Sequence, residues 1–345
     1  MSSQRQFGIA AGGNWIVDRV KMIDRLPGRG MLANIHSESR GTGGAPANVL
    51  VDLARMKAPF PLVGMGVVGD DADGEFVLST GRAHGIDMSR IVVTKKAPTS
   101  FTDVMVEEST GDRSFFHCRG ANATFEPSHI ATASLTCRIF HLGYLLLLDR
   151  MDEPDAEFGT VAAATLRMLQ GAGFKTSLDV VSEESDRFHR LVPPSLRYVD
   201  YLILNEIEAG RVVRRAVRDP QGVIDSAALH DVVEALYQFG NMEMTAVHMP
   251  EGVYIRDRQG HKLALGSLVL PDGFIQSALG AGDAFCAGML YGLHEGWDYG
   301  RAADLGTCCA TACLSHSTAT QGVVPMEDAL KYRTRFPRRD PPVNL

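Results

Sequence analysis

Residues 279–285 read Leu279-Gly280-Ala281-Gly282-Asp283-Ala284-Phe285, and a helical pattern follows through Tyr291 and Gly292. Gly280, Ala281 and Gly282 make a tight turn whose amides point together into a helix N-terminus. Unpaired amides and the helix dipole there bind an anion. Asp283 falls in the first helical turn, beside that anion. It can take a proton from an attacking hydroxyl while the amides of Ala281, Gly282 and Asp283 stabilise charge on a transferred phosphoryl group. The same residues also suit an ordinary capping aspartate after a glycine turn.

Outward from this turn, apolar β-type runs alternate with helical patterns. Strands are expected at 6–11, 60–68, 138–142, 175–180, 198–204 and 244–248, with helices at 45–56, 73–84, 157–171, 225–239, 280–296 and 300–317. This alternation predicts a three-layer, Rossmann-like α/β fold, a mostly parallel sheet flanked by helices. Segments 15–23 with 32–37, and 100–107 with 113–118, break the alternation as short strands, the second pair joined by the polar loop 108–112. They read either as a lid that closes over a ligand or as an edge extension or dimer surface. Residues 333–345, rich in Pro and Arg, read as a loosely held tail.

With 345 residues, 45% of them hydrophobic, a single α/β domain with an appendage fits as well as two domains would; the single-domain reading spans residues 1–330. The net charge of −7 argues against nucleic acid or an anionic membrane as partner. No apolar run spans a bilayer, and residues 1–6 lack a signal-peptide core. The six cysteines form no CxxC pair and read as reduced, buried thiols, which points to the cytoplasm.

Two further clusters stand out. Gly41-Thr42-Gly43-Gly44 permits close backbone approach to a ligand, with Asn48 on the following helical turn. Asn205-Glu206-Ile207-Glu208 ends a strand, where open α/β sheets bind ligands and carboxylates can hold Mg²⁺ through water. Each also reads as a plain helix start.

In this order, the pieces resemble the ribokinase-like (PfkB) family of carbohydrate kinases over about residues 8–323. Gly12-Gly13-Asn14 with Asp18 is similar to the family's first strand and sugar-binding aspartate. Gly43, Gly44 and Asn48 fit its GGxxxN segment. Residues 63–71 with Gly74 resemble its G-x-V-G-D-D-x-x-G stretch, and Arg119-Gly120-Ala121-Asn122 the run that leaves the lid. Asn205 and Glu208 match NxxE, which positions Mg²⁺ and the triphosphate. Gly280-Ala281-Gly282-Asp283 matches the anion hole and base. The resemblance implies a ribokinase-like fold with a β-lid and often a homodimer through it. It also implies ATP-dependent phosphorylation of a sugar or sugar-acid hydroxyl. Asn14, Asp18, Gly43, Gly44 and Asn48 would hold the acceptor; Arg119 suits a carboxylate or phosphate on the acceptor, and equally an Asp or Glu of the lid. Asn205, Glu208, His248 and Gly252 would hold the nucleotide, with Glu208 on Mg²⁺ through water.

Three positions depart from the pattern. Ser277-Ala278 replace the usual Asp-Thr, which leaves monovalent-cation (K⁺) dependence open. His248-Met249-Pro250 replace a Thr-x-Gly strand end, and proline has no amide to offer a phosphate. Gly143 stands where ribokinases carry a sugar-contacting glutamate, so ribose is not implied. A nucleoside kinase of the same fold is the alternative within the enzyme class. A catalytically silent binding protein is the alternative outside it.

Overall fold

Strands buried on both faces need near-continuous apolar runs, and Ile9-Ala10-Ala11 and residues 62–69 supply them. The computed structural model describes residues 7–130, 132, 135–183 and 185–345; the segment 1–6, read above as lacking a signal-peptide core, lies outside the described residues. The chain runs through β1 (Ile9–Gly13), β2 (Ile16–Ile23), β3 (Ile35–Gly43), α1 (Ala45–Arg55), β4 (Leu62–Gly69), α2 (Ala72–Ala83) and β5 (Asp87–Thr94). Then come β6 (Ser100–Glu107), β7 (Arg113–Cys118), β8 (Ile139–Leu145) and a short hairpin of β9 (Pro154–Asp155) and β10 (Gly159–Thr160). The middle holds α3 (Val161–Gly171), β11 (Lys175–Val180), the single turns α4 (Phe188–Leu191) and α5 (Pro193–Leu196), β12 (Tyr201–Asn205), α6 (Glu206–Val213) and α7 (Ser226–Leu236). Last are β13 (Met244–Met249), β14 (Gly252–Asp257), β15 (Lys262–Gly266), α8 (Ala281–His294), α9 (Tyr299–Leu314), α10 (Met326–Ala329) and α11 (Tyr332–Arg335).

The main sheet has the order β15-β14-β13-β12-β11-β8-β1-β4-β5. Every pairing from β13 to β5 is parallel, and β14 and β15 are an antiparallel edge. Side chains of α1, α2, α8 and α9 cover one face, and those of α3, α6 and α7 the other. The chain leaves β1 toward β4 on one side and reaches β8 on the other. Such a switch point opens a crevice at the carboxyl ends of the strands.

The non-alternating segments form a second sheet, β3-β2-β6-β7, with β2 and β6 parallel. Its root is fixed at Trp15, whose backbone N–H and C=O both bond the buried Asn122 amide, at 3.2 and 3.1 Å.

Several elements differ from expectation. The strand expected at 32–37 lies at Ile35–Gly43, because Gly41-Thr42-Gly43 continues the ladder to Ile16 rather than turning early. Helix α3 starts at Val161, not 157, where the Thr160 hydroxyl accepts from Ala163 N at 3.1 Å and caps it. Strands β5, β14 and β15 were not anticipated. The tail 333–345 is not loose: Val269 N bonds Pro337 O and Arg339 N bonds Ser267 O, each at 2.8 Å, and Val343 is buried. All six cysteines are free thiols, and every one but Cys118 is buried.

Candidate active site

Helix α8 begins at Gly280, whose φ of 76° and contact with Ala319 exclude a side chain. The first helical bond runs from Ala284 N to Gly280 O at 2.8 Å, so the amides of Gly282 and Asp283 precede it and face outward. Ala281 N turns back to Ala278 O at 3.4 Å, a long bond that leaves it largely open too. Asp283 is buried at this helix end. Its Oδ2 accepts from Asn48 Nδ2 at 2.8 Å, and the Tyr144 hydroxyl donates to the carboxylate at 3.0 and 3.1 Å. Burial raises the Asp283 pKa above the ordinary carboxylate value, and these two donors pull it back.

Asp18, on β2, comes from the lid root into the same crevice. Its pKa is pushed up to about 7, first by burial and then by the Asp283 charge, against a hydrogen bond from Thr102. Gly43 passes so close to the Asp18 carboxylate that a Cβ there would sit 2.1 Å from it. Asn48 is buried, and its Oδ1 is shielded from solvent with no hydrogen-bond partner among the described residues.

At the β12 end, Asn205 and Glu208 form a reciprocal capping box: Glu208 N donates to Asn205 Oδ1 at 2.8 Å and Asn205 N to Glu208 Oε2 at 3.1 Å. The Ser182 hydroxyl donates to Glu208 Oε1 at 2.7 Å. Burial raises Glu208 above its usual range. Both oxygens already accept bonds, so Glu208 fits an Mg²⁺ held through water rather than in direct contact. Among the described residues no cluster of three or more metal-binding side chains occurs. His248 lies beneath the α8 turn against Phe285, ring centroids 5.0 Å apart, and burial lowers its pKa to about 4. In the free protein, burial therefore favours its neutral ring. Gly252 sits in β14, where a Cβ would meet Leu265 O at 2.1 Å, so the position packs backbone against backbone at the sheet edge.

Two expected acceptor contacts are engaged elsewhere. Asn14 is fully buried: its Nδ2 donates to Leu147 O at 3.3 Å and its Oδ1 accepts from Tyr144 N. It therefore orients Tyr144 instead of facing a ligand. Arg119 donates to Leu146 O at 3.0 Å and pairs with Asp149 at 2.7 Å, so its charge is already matched. The sequence reading missed Tyr144, Asp179 and Arg113. Asp179, on β11, has its pKa raised by burial and then by Glu208 and Asp283, so it faces both. Arg113, on β7, donates to Ser277 Oγ at 3.1 Å and has no carboxylate partner among the described residues. No local pattern marks these residues; only the strand order β11-β8-β1 brings Asp179 and Tyr144 to one rim.

A helix end with open amides and a buried carboxylate in its first turn, beside a second β-sheet at a sheet switch point, suits phosphoryl transfer to a hydroxyl. This defines a phosphotransferase of ribokinase-like fold. The chain belongs to the pfkB family of carbohydrate kinases, whose model matches residues 8–325. It is 25% identical over 320 residues to an ATP-dependent ribose-1-phosphate kinase of Halopiger xanaduensis, covering 92% of this chain and 94% of that one. It is 24% identical over 335 residues to a 5-dehydro-2-deoxygluconokinase of Bacillus subtilis, covering 95% and 96%. The ribokinase of Giardia lamblia superposes with a TM-score of 0.80 at 18% identity, covering 96% of this chain and 99% of that one. The Arabidopsis thaliana ribokinase complexed with ribose and ATP gives 0.75 at 19%, covering 94% and 98%. At these identities the two structures show the fold alone.

Proposed function

We propose that this chain transfers the γ-phosphoryl group of ATP to a primary hydroxyl of a sugar or sugar acid. The observation that carries the reading is Asp283, set one turn into α8 beside the open amides of Gly282 and Asp283 and held by Asn48 and Tyr144. The acceptor hydroxyl gives its proton to Asp283 as its oxygen bonds the γ-phosphorus, and the bond from that phosphorus to the ADP oxygen breaks. The amides at the α8 turn face the charge that develops on the phosphoryl oxygens. Asp18, Gly43, Gly44 and Asn48 hold the acceptor, and Asn205 and Glu208 the triphosphate end, with Mg²⁺ supplying charge neutralisation when bound. The names of the two relatives denote a ribose phosphate and a gluconate derivative, which supports a carbohydrate acceptor. Free buried thiols support a reducing, cytoplasmic setting, and exposed apolar side chains on the second sheet support a homodimer through the lid.

The test is an ADP-release assay of the wild type and Asp283→Asn over a panel of sugars, sugar acids and nucleosides. We expect turnover on a carbohydrate that Asp283→Asn abolishes, while circular dichroism and calorimetric ATP-analogue binding stay near wild type. Near-normal turnover in the variant removes Asp283 as base. Turnover confined to nucleosides replaces the acceptor class. Binding without turnover on any acceptor makes the chain a silent member of the fold.

A further inference from the structure

Asp283 sits among groups that disfavour its charge. Asp18 faces it from β2, Asp52 from α1, Asp179 from β11 and Glu208 from α6, and the thiols of Cys286 and Cys313 approach from α8 and α9. His248 of β13 lies below the turn, and burial disfavours its charged form. Among the described residues no lysine or arginine pairs with Asp283, so neutral donors must keep it ionised. Two do so: the Asn48 amide and the Tyr144 phenol.

Tyr144 is well placed for this. The register pairs Gly13 of β1 with Gly143 of β8, which sets Tyr144 one residue beyond, over the crevice. Its backbone N–H is held by Asn14, itself tied to Leu147 O, so the ring is anchored from beneath. The hydroxyl lies nearly equidistant from both carboxylate oxygens, whereas Asn48 bonds only Oδ2. A carboxylate offers about four acceptor sites, so Oδ1 keeps one for the hydroxyl of an acceptor. Burial and the nearby carboxylates raise the Tyr144 pKa well above its ordinary value, so the phenol remains a donor across the working pH range and never competes as a base.

We propose that Tyr144 is a positioning residue for the transfer: its phenol, with Asn48, fixes the plane of the Asp283 carboxylate and holds it ionised, leaving Oδ1 to the acceptor hydroxyl. This rests on the kinase reading above only for its consequence in turnover, since the effect on Asp283 exists in the free protein. Tyr144→Phe removes the hydroxyl and keeps the ring. In protein labelled with ¹³C at aspartate carboxyls, the Asp283 resonance is assigned by its loss in Asp283→Asn and titrated in both backgrounds. We expect its midpoint to rise by about one pH unit in Tyr144→Phe, the direction that follows from losing a donor to the charged form. An unchanged midpoint overturns the proposal whether or not an acceptor is known. With an acceptor in hand, kcat at pH 7 should fall about tenfold or more. KM for acceptor and ATP should stay within about twofold, and the acid limb of kcat/KM should move to higher pH. A pH profile that superimposes on wild type, or a loss confined to acceptor KM, also overturns it. A wild type without turnover but with the shifted midpoint sinks the kinase reading and leaves the role of Tyr144 in place.

Discussion

Asn48 and Asp52 are four residues apart on α1 and point the same way along the helix. Asn48 spends its amide on Asp283 and keeps an unpartnered Oδ1. Asn48→Ala removes a hydrogen bond to the charged base, so kcat/KM should fall about tenfold or more. Steady-state kinetics with a carbohydrate acceptor checks this, and a loss under threefold would remove Asn48 from the site. Asp52 is fully buried with neither oxygen bonded, and Arg55 turns away to Val323 O and Gln321 O. Burial and the Asp283 charge raise its pKa well above the ordinary value. An acid raised in this way favours the fold fully below its unfolded pKa, near about 3.9, and progressively less as pH rises toward its folded value. Asp52→Asn should therefore gain stability relative to wild type as pH rises from about 4 toward the folded pKa, by up to about 1.4 kcal/mol for each pH unit above the unfolded pKa. Melting temperatures across that range test it, and parallel curves for the two proteins would refute it. Of the site residues, Asp283 was legible because its turn is local: two glycines, an alanine and an acid within four residues. Tyr144 lies next to a glycine in an apolar run, and nothing within ten residues of it hints at Asp283. Their meeting is decided by strand order, which no single segment encodes. The contacts of Asn14 were hidden for the same reason, since its partners Tyr144 and Leu147 lie on the neighbouring strand and the loop after it.

The lid is where element boundaries were least readable. Strand β3 was placed too early because Gly41 and Gly43 look like turn residues, yet the ladder to β2 carries through them to deliver Gly44 and α1 into the crevice. Strand β7 is an edge, and its first residue, Arg113, reaches down to Ser277, three residues before the α8 turn. Desolvation without a carboxylate partner lowers the Arg113 pKa, so this half-buried guanidinium is held by a neutral hydroxyl alone. The contact ties the lid edge to the loop that leads into the anion site. A hydrogen bond from a charged donor is worth about 1.5–3 kcal/mol when well shielded and less at partial exposure. Arg113→Ala should therefore raise acceptor KM about fivefold with kcat within about twofold, and should speed amide hydrogen exchange over 107–118. Exchange identical to wild type would mean that the lid edge is held by other contacts. The tail shows the reverse case: Pro and Arg suggested a loose end, but three prolines in an extended chain suit pairing beside β15, where backbone groups of Ser267 and Val269 were waiting for partners.

At the scale of the whole molecule, the α/β alternation was enough to give the parallel sheet and its two helical layers, because each βαβ unit repeats the same local signal. The antiparallel edge β14-β15 and the quaternary state carry no such signal. The lid nevertheless exposes Leu26, Met31, Leu32 and Ile35 in and beside its 24–34 loop, and Phe115 and Phe116 on β7, with Met31 and Leu32 each 73% exposed. An unpaired edge strand flanked by apolar side chains is a surface that proteins normally cover. A second copy related by a two-fold axis would cover it without a dedicated partner, which is the commonest closed assembly. The wild type should then elute with a light-scattering mass of about twice the 37.4 kDa chain. The double variant Met31→Asp, Leu32→Asp should give a single chain with an unchanged far-ultraviolet spectrum. A wild type that is monomeric at tens of micromolar would sink the lid dimer. A variant that stays dimeric would move the interface away from the 24–34 loop. On the proposed reading the lid closes the acceptor side of the crevice, so dissociation should raise acceptor KM in the double variant while ATP binding, measured by calorimetry, changes little; equal loss of both would show that the substitutions disturbed the main sheet rather than the lid.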